Sequence, residues 1–260
     1  MEFFDSHSHL NDEKFDNDRE EIVQMLKKEK ITRFLTCGYD LIGSQKAIEL
    51  SEKIDFTYAT VGISPNDIPQ NEEELWKDID KIKEIATNKK VVAIGEIGLD
   101  FYWNKDNKEQ QIDAFKKQIQ IANELNLPIV IHTRDAVMDT IQVLKDNLVV
   151  NKGVFHCCPL NRELVKEALK LGFYISFSGV VTFKNAKNAE EIVNMVPNDR
   201  FLIETDSPYL SPEPVRGTRN TPVNVKFVAA KVAEYKKISI EDVARMSFEN
   251  ASRLFKIAKG

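Results

Sequence analysis

At 260 residues, with 42% hydrophobic and 30% charged side chains, the chain has the composition of a soluble globular protein and no run of about 18 apolar residues that would span a bilayer. A net charge of −5 excludes a broadly basic phosphate-binding face, so any nucleic acid has to be held locally. Cys37, Cys157 and Cys158 lack Cys-x-x-Cys spacing and the chain starts Met-Glu-Phe-Phe-Asp without a basic-then-apolar leader, which together predict a cytoplasmic protein.

The first strand reads Phe3-Phe4-Asp5-Ser6-His7-Ser8-His9, and alternation puts His7 and His9 on one face. A helix is predicted over Asp16–Glu29, where Ile22, Val23, Met25 and Leu26 stand among charges. Ile31–Cys37 is β-like, Leu41–Lys53 helical and Phe56–Val61 β-like again. Asn71–Asn88 forms a charged helix with Leu75, Trp76, Ile79, Ile82 and Ile85 on its apolar side. Val91–Glu96 is the fourth strand, and Leu99–Asn107 reads as irregular.

The second half repeats the plan. Helical spacing over Glu109–Asn126 precedes a strand at Ile129–His132, and a helix at Val137–Leu144 precedes one at Gly153–His156. Arg162–Leu171 is helical and stops at Gly172, Phe173–Phe177 is the seventh strand, Ala186–Val196 a helix, and Phe201–Asp206 the eighth strand. A proline-rich loop follows, and two helices finish the chain, the last opened by Ser239 with Asp242 three residues on. Eight strand–helix units in this length predict a (β/α)8 TIM barrel, with residues 1–260 as one domain. An open doubly wound sheet is the other candidate, but its first turn is ordinarily glycine-rich, and here that turn holds histidines.

The strand ends carry the chemistry. The chain has only four histidines, and His7, His9, His132 and His156 all end β-like runs, as do Glu96 and Asp206. A lone histidine there is more often a hydrogen-bonded core group than a ligand. In a barrel, however, the C-terminal strand ends share one rim, so all six groups converge. One ion with an open position needs about three protein ligands, and six suit two ions with a bridging carboxylate.

The motifs Asp5-Ser6-His7-Ser8-His9-Leu10, Ala93-Ile94-Gly95-Glu96-Ile97-Gly98-Leu99-Asp100, Ile131-His132-Thr133-Arg134-Asp135-Ala136, Gly153-Val154-Phe155-His156-Cys157 and Glu204-Thr205-Asp206-Ser207-Pro208-Tyr209-Leu210, with Arg216-Gly217 leading to Asn220, run the length of the chain. Together they resemble the TatD family of metal-dependent hydrolases, amidohydrolase-like barrels whose members are described as Mg²⁺- or Mn²⁺-dependent deoxyribonucleases. The resemblance implies one metal on His7, His9 and Asp206 and another on His132 and His156, with Glu96 bridging; Mg²⁺, Mn²⁺ and Zn²⁺ all remain open. The chain departs from the family's pattern at Ser64-Pro65-Asn66, where many members have His-Pro-His, and at Cys158-Pro159-Leu160-Asn161 after His156-Cys157.

Around this core, Glu96 and Asp206 are the catalytic candidates, with Asp206 taking a proton from metal-activated water. Arg134 is a candidate phosphate clamp, and Arg216 and Arg219 are weaker ones. Phe101, Tyr102 and Trp103 follow Glu96 and can stack an unpaired base, with Tyr102 taken as the contact. Asp5 and Glu204 share the parity of neighbouring ligands and are expected to support them from behind. Three readings stay open: a deoxyribonuclease acting on single strands or ends, a hydrolase of a small-molecule or aminoacyl ester or amide, and a metal-stapled binding barrel. DNA is the expected partner, without a membrane or an obligate protein partner, in a monomer or small homo-oligomer.

Overall fold

A computed structural model describes residues 1–258; Lys259 and Gly260, the last two positions of the expected domain, lie outside the described residues. Among the described residues eight strands form one sheet: β1 (Phe3–Ser8), β2 (Ile31–Cys37), β3 (Thr57–Val61), β4 (Val91–Asp100), β5 (Ile129–Arg134), β6 (Gly153–Phe155), β7 (Tyr174–Phe177) and β8 (Phe201–Ile203). Each pairs in parallel with the next. The ends of the sheet meet where Asp206 N donates to His7 O (2.9 Å) and His9 N to Ser207 O (2.7 Å), which nearly closes a (β/α)8 barrel. Seven helices link the strands: α1 (Arg19–Lys28), α2 (Leu41–Lys53), α3 (Glu72–Ile85), α4 (Lys108–Glu124), α5 (Val137–Asp146), α6 (Arg162–Lys170) and α7 (Ala189–Met195). After β8 come α8 (Val225–Lys236) and α9 (Ile240–Leu254).

The apolar residues form two clusters. The larger lies between helices and sheet, for example Phe15, Leu26, Phe34, Ile79, Phe115 and Leu164. The smaller runs around the ring through Phe4, Leu35, Ala93, Val130, Val154, Tyr174 and Leu202, and includes Leu254 and Phe255 near the end of the chain. Phe4 packs edge-on against Phe248 with ring centroids 5.6 Å apart, so α9 seals the bottom of the barrel. That leaves the opposite, C-terminal strand ends for the site.

Several boundaries differ from the sequence expectation. The link after β1 begins with a 3-10 turn, Glu13–Phe15, capped by Asp12 and burying Phe15, so α1 starts at Arg19 and not Asp16. A second 3-10 turn at Gly179–Thr182 occupies the link after β7, and α7 starts at Ala189. The eighth strand stops at Ile203 and the sixth at Phe155, because Cys157 (φ 42°) and Asp206 (φ 55°) turn the backbone into the left-handed region and end the ladder. Conversely β4 continues through Asp100, where an irregular stretch was expected, because Ile97, Gly98, Leu99 and Asp100 find partners in Ile131, His132, Thr133 and Arg134 of β5.

Gly98 makes that last pairing possible. Its φ is 141°, and a Cβ there would stand 2.0 Å from the His132 carbonyl oxygen. Gly98→Ala is therefore expected to force β4 from β5 and destabilise the fold by roughly 3 kcal/mol, read in a thermal melt as a fall of roughly 6–12 °C.

Candidate active site

His7 is the last residue but one of β1 and His9 follows the strand, His132 lies near the end of β5, His156 follows β6, Glu96 sits mid-way along β4, and Asp206 stands three residues past β8. The fold brings all six together at the C-terminal mouth, where His7, His9, Glu96 and His156 are buried and His132 and Asp206 are partly exposed. The two oxygens of Glu96 face opposite ways. Oε1 lies 2.7 Å from His132 Nδ1 and 3.1 Å from His156 Nε2, and those two nitrogens are 3.2 Å apart. Oε2 lies 3.4 Å from His7 Nε2 and 3.7 Å from His9 Nε2, which are themselves 3.2 Å apart. Asp206 Oδ1 completes the second group at 3.4 Å from His9 Nε2 and 3.7 Å from His7 Nε2. Ligand atoms about 2.0–2.2 Å from one ion lie about 3–3.5 Å from each other. In each of the triads His7–His9–Glu96, Glu96–His132–His156 and His7–His156–Asp206 the ligand atoms lie within 4.8 Å of one another, close enough to hold a divalent cation.

The outward nitrogen of each ring decides what the inward one offers. His9 Nδ1 lies 2.9 Å from the Cys37 carbonyl, which only accepts, so Nδ1 carries the proton and Nε2 keeps a lone pair for the cluster. His132 Nε2 donates to Asp100 Oδ2 (2.9 Å), leaving Nδ1 free toward Glu96. Asp100 is buried, and burial alone would raise its pKa; the His132 bond, the Trp103 N–H and the Asn66 amide outweigh it and pull the carboxyl down to about 2. Asp100 was missed at the sequence level, although it stands four residues after Glu96 and therefore shares its parity on an extended strand. It was missed because β4 was expected to end at Glu96.

Glu204 reaches His156 from behind, its Oε1 3.5 Å from Nδ1 and accepting from Cys157 N at 2.6 Å. Asp5 does not contact a histidine ring. The register of β1 is irregular between Asp5 and Ser8, which breaks the alternation, and the Asp5 carboxylate accepts instead from Thr205 N (2.9 Å) and Thr205 Oγ1 (2.6 Å). It thereby anchors the residue next to Asp206. Burial opposes charge on both Glu96 and Asp206, but their imidazole neighbours prevail and hold both carboxyls below the usual range. Burial likewise opposes charge on His9, His132 and His156, yet the surrounding carboxylates raise all three.

A cleft of about 850 Å³ opens above the cluster, within the range of small-molecule sites. Arg134, Trp103, Asp67, Tyr39 and Tyr209 are among its walls. The Arg134 guanidinium lies 3.8 Å from the Tyr102 ring centre, so Tyr102 is covered on that face while its neighbour Trp103 lines the cleft. Arg216 and Arg219, expected as phosphate contacts, are not brought to the cleft lining: Arg216 stacks on Phe183 and donates to Ser211 O (3.1 Å), and Arg219 pairs with Asp18 over Phe15. Asn66, at the departure from His-Pro-His, donates to Asp100 Oδ2 at 3.1 Å and so joins the support of His132. Cys157 Sγ faces Ser178 Oγ at 3.2 Å, and Cys158 is buried in the outer apolar cluster, so neither thiol joins the imidazoles.

Asp100→Asn places an amide N–H against either the His132 ring or the Tyr102 and Trp103 N–H groups that Asp100 Oδ1 now accepts. The expected outcome in calorimetric titration is divalent-cation affinity roughly 10- to 100-fold weaker, with the melting temperature of chelated protein changed by only a few degrees. Because carboxylates raise the histidine pKa values, cation binding to the wild type should release protons, and affinity should fall as the pH is lowered; titrations in two buffers of different ionisation enthalpy measure the number released.

Comparison with known proteins places this geometry. A family model described as TatD related DNase matches residues 4–256. The uncharacterized metal-dependent hydrolase YabD of Bacillus subtilis (strain 168) is 47% identical over 257 residues, covering 98% of this chain and 99% of the relative. The uncharacterized metal-dependent hydrolase YcfH of Escherichia coli (strain K12) is 38% identical over 261 residues, 99% of this chain and 97% of the relative. In structure the chain resembles YjjV, a TatD homologue from Escherichia coli K12, with a TM-score of 0.92 over 98% of both chains at 23% identity. The barrel, the histidine–carboxylate cluster at its mouth and end-to-end similarity to these proteins agree: the chain belongs to the TatD family of metal-dependent hydrolases.

Proposed function

We propose that the chain is a deoxyribonuclease that hydrolyses phosphodiester bonds of DNA, at single strands or ends, with two divalent cations in the mouth of one barrel domain. The observation that carries this reading is the sidedness of Glu96, one oxygen toward His132 and His156 and the other toward His7 and His9. A carboxylate shared in this way would suit a pair of divalent ions, an arrangement recurrent in phosphatases and nucleases. In this reading His7, His9 and Asp206 would hold one cation and His132 and His156 the other, with Glu96 within reach of both. Bound there, the cations supply Lewis acidity that polarises the scissile phosphate and acidifies water. A donor set of four imidazoles and two carboxylates admits Mn²⁺ and Zn²⁺ as well as Mg²⁺.

The residues then divide the work. Asp206, kept ionised by His9, accepts a proton as water oxygen attacks phosphorus. The bond from phosphorus to the leaving oxygen breaks, and Asp206 returns the proton to that oxygen. Arg134 neutralises a non-bridging phosphate oxygen at the cleft wall. Asp100 and Glu204 keep His132 and His156 oriented through both steps. Three free thiols fit the reducing cytoplasm, and among the described residues no helix is long and apolar enough to cross a membrane.

One observation favours the second reading, a small-molecule or aminoacyl ester or amide substrate. With Arg216 and Arg219 engaged elsewhere, Arg134 is the one guanidinium among the described lining residues. Membership of a hydrolase family sets the binding-barrel reading aside.

The test is turnover of a labelled single-stranded DNA oligomer by chelated protein, then with Mg²⁺, Mn²⁺ or Zn²⁺ added, beside His132→Ala and Asp206→Asn. Metal-restored cleavage is expected, with Asp206→Asn slower by roughly 10²- to 10⁴-fold and still folded with its melting temperature nearly kept. No oligomer cleavage under any cation, together with ester or amide turnover in the same samples, would give the second reading.

A further inference from the structure

Two buried polar side chains outside the mouth take no part in the chemistry above. Gln111 and Gln118 stand seven residues apart on α4, two helical turns, so both face the sheet. Gln111 is 0% exposed and Gln118 1%. Burying a primary amide is costly unless its oxygen and both N–H groups find partners. A leucine would fill either place without that demand, so packing alone leaves the two glutamines unexplained.

Each amide meets the backbone of a single residue twice. Gln111 Oε1 accepts from Asp100 N at 2.8 Å, and its Nε2 donates to Asp100 O at 3.1 Å. The same Nε2 reaches Asn104 O at 3.0 Å and Asn107 Oδ1 at 2.8 Å, which ties the turn after β4 to the start of α4. Gln118 Oε1 accepts from Ile63 N at 2.8 Å, and its Nε2 donates to Ile63 O at 3.0 Å. An N–H and a C=O of one residue are what a neighbouring strand ordinarily satisfies. Here that strand is missing: β4 runs to Asp100, whereas β3 stops at Val61, whose partner on β4 is Ile94. Phe101 N donates to Arg134 O on the β5 side, so by alternation the Asp100 N–H and C=O point to the side that β3 has left. Gln111 takes the place of the absent ladder.

We infer that Gln111 is a positioning residue for the cation site at His132. It pins the Asp100 backbone, which keeps the Asp100 carboxylate on His132 Nε2 at 2.9 Å and His132 Nδ1 aimed into the cluster. Gln118 makes the same pair of bonds to Ile63, an apolar residue with no carboxylate to offer a histidine, and is the matched control. The inference concerns how the cluster is held and is the same for either substrate reading above.

The test is a double-mutant cycle read by calorimetric titration of chelated protein with Mn²⁺. Gln111→Met keeps the length of the side chain and removes its donors and acceptor. Mn²⁺ affinity is expected to fall roughly tenfold when this change is made in the wild type, and by less than about twofold when it is added to Asp100→Asn. Gln118→Met is expected to lower the melting temperature comparably while changing the affinity by less than about twofold. Gln111→Glu keeps an acceptor for Asp100 N and is expected to recover part of the loss; it also serves if Gln111→Met is too unstable to titrate. Equal losses in both backgrounds, or equal losses from Gln111→Met and Gln118→Met, would overturn the inference and leave Gln111 a packing residue only. Unchanged affinity in Gln111→Met would overturn it as well.

Discussion

Burying the Glu96 carboxylate in the mouth of an apolar barrel is costly unless positive or hydrogen-bonding partners surround it, and a buried pair stripped of one partner loses roughly 3–5 kcal/mol. Four imidazoles from three strands meet that demand, two on each oxygen. The same arrangement explains why the mouth is prepared for divalent cations. Nitrogen atoms only 3.2 Å apart aim lone pairs at shared points, and two carboxylates held below their usual pKa supply the countercharge.

Behind this cluster stands a set of acceptors on neighbouring elements. Asp100 extends β4 by four residues past Glu96 and orients His132, Glu204 approaches His156, and the Cys37 carbonyl at the end of β2 orients His9. Asp5 works at one remove, tying Thr205 so that Asp206 can adopt a positive φ and turn its carboxylate toward His7 and His9. The near-closure of the barrel passes through the same residues, since Asp206 N donates to His7 O. Barrel closure and site assembly are thus one structural event, and a change in one is transmitted to the other.

Above the cluster, the loops have been given different physical tasks. The proline-rich loop spends Arg216 and Arg219 on stacking and ion pairs that hold its own shape, whereas Arg134, Trp103 and Tyr209 are left facing the cleft. Asn66 turns its amide to Asp100 and so joins the support of His132 from outside the histidine–carboxylate cluster.

Much of this was legible in the chain itself. Alternating hydrophobic periods predicted the strands and helices, β2 and α2 to the residue, and four histidines at strand ends pointed to one convergent rim. These signals are local: they depend on spacing along a few residues. Three features were decided only by tertiary structure. Asp100 counted as a loop residue until β5 supplied the ladder that extends β4. Asp5 shared the parity of His7 on paper, but the irregular register against β2 sends its carboxylate to Thr205. Arg134 and Arg219 both stood as candidate phosphate contacts, Arg219 the weaker, and what separates them is which partner, the Tyr102 face or Asp18, each meets when distant segments pack. Periodicity determines which face a side chain takes within an element; strand pairing and loop packing determine what it touches, because those partners come from far along the chain.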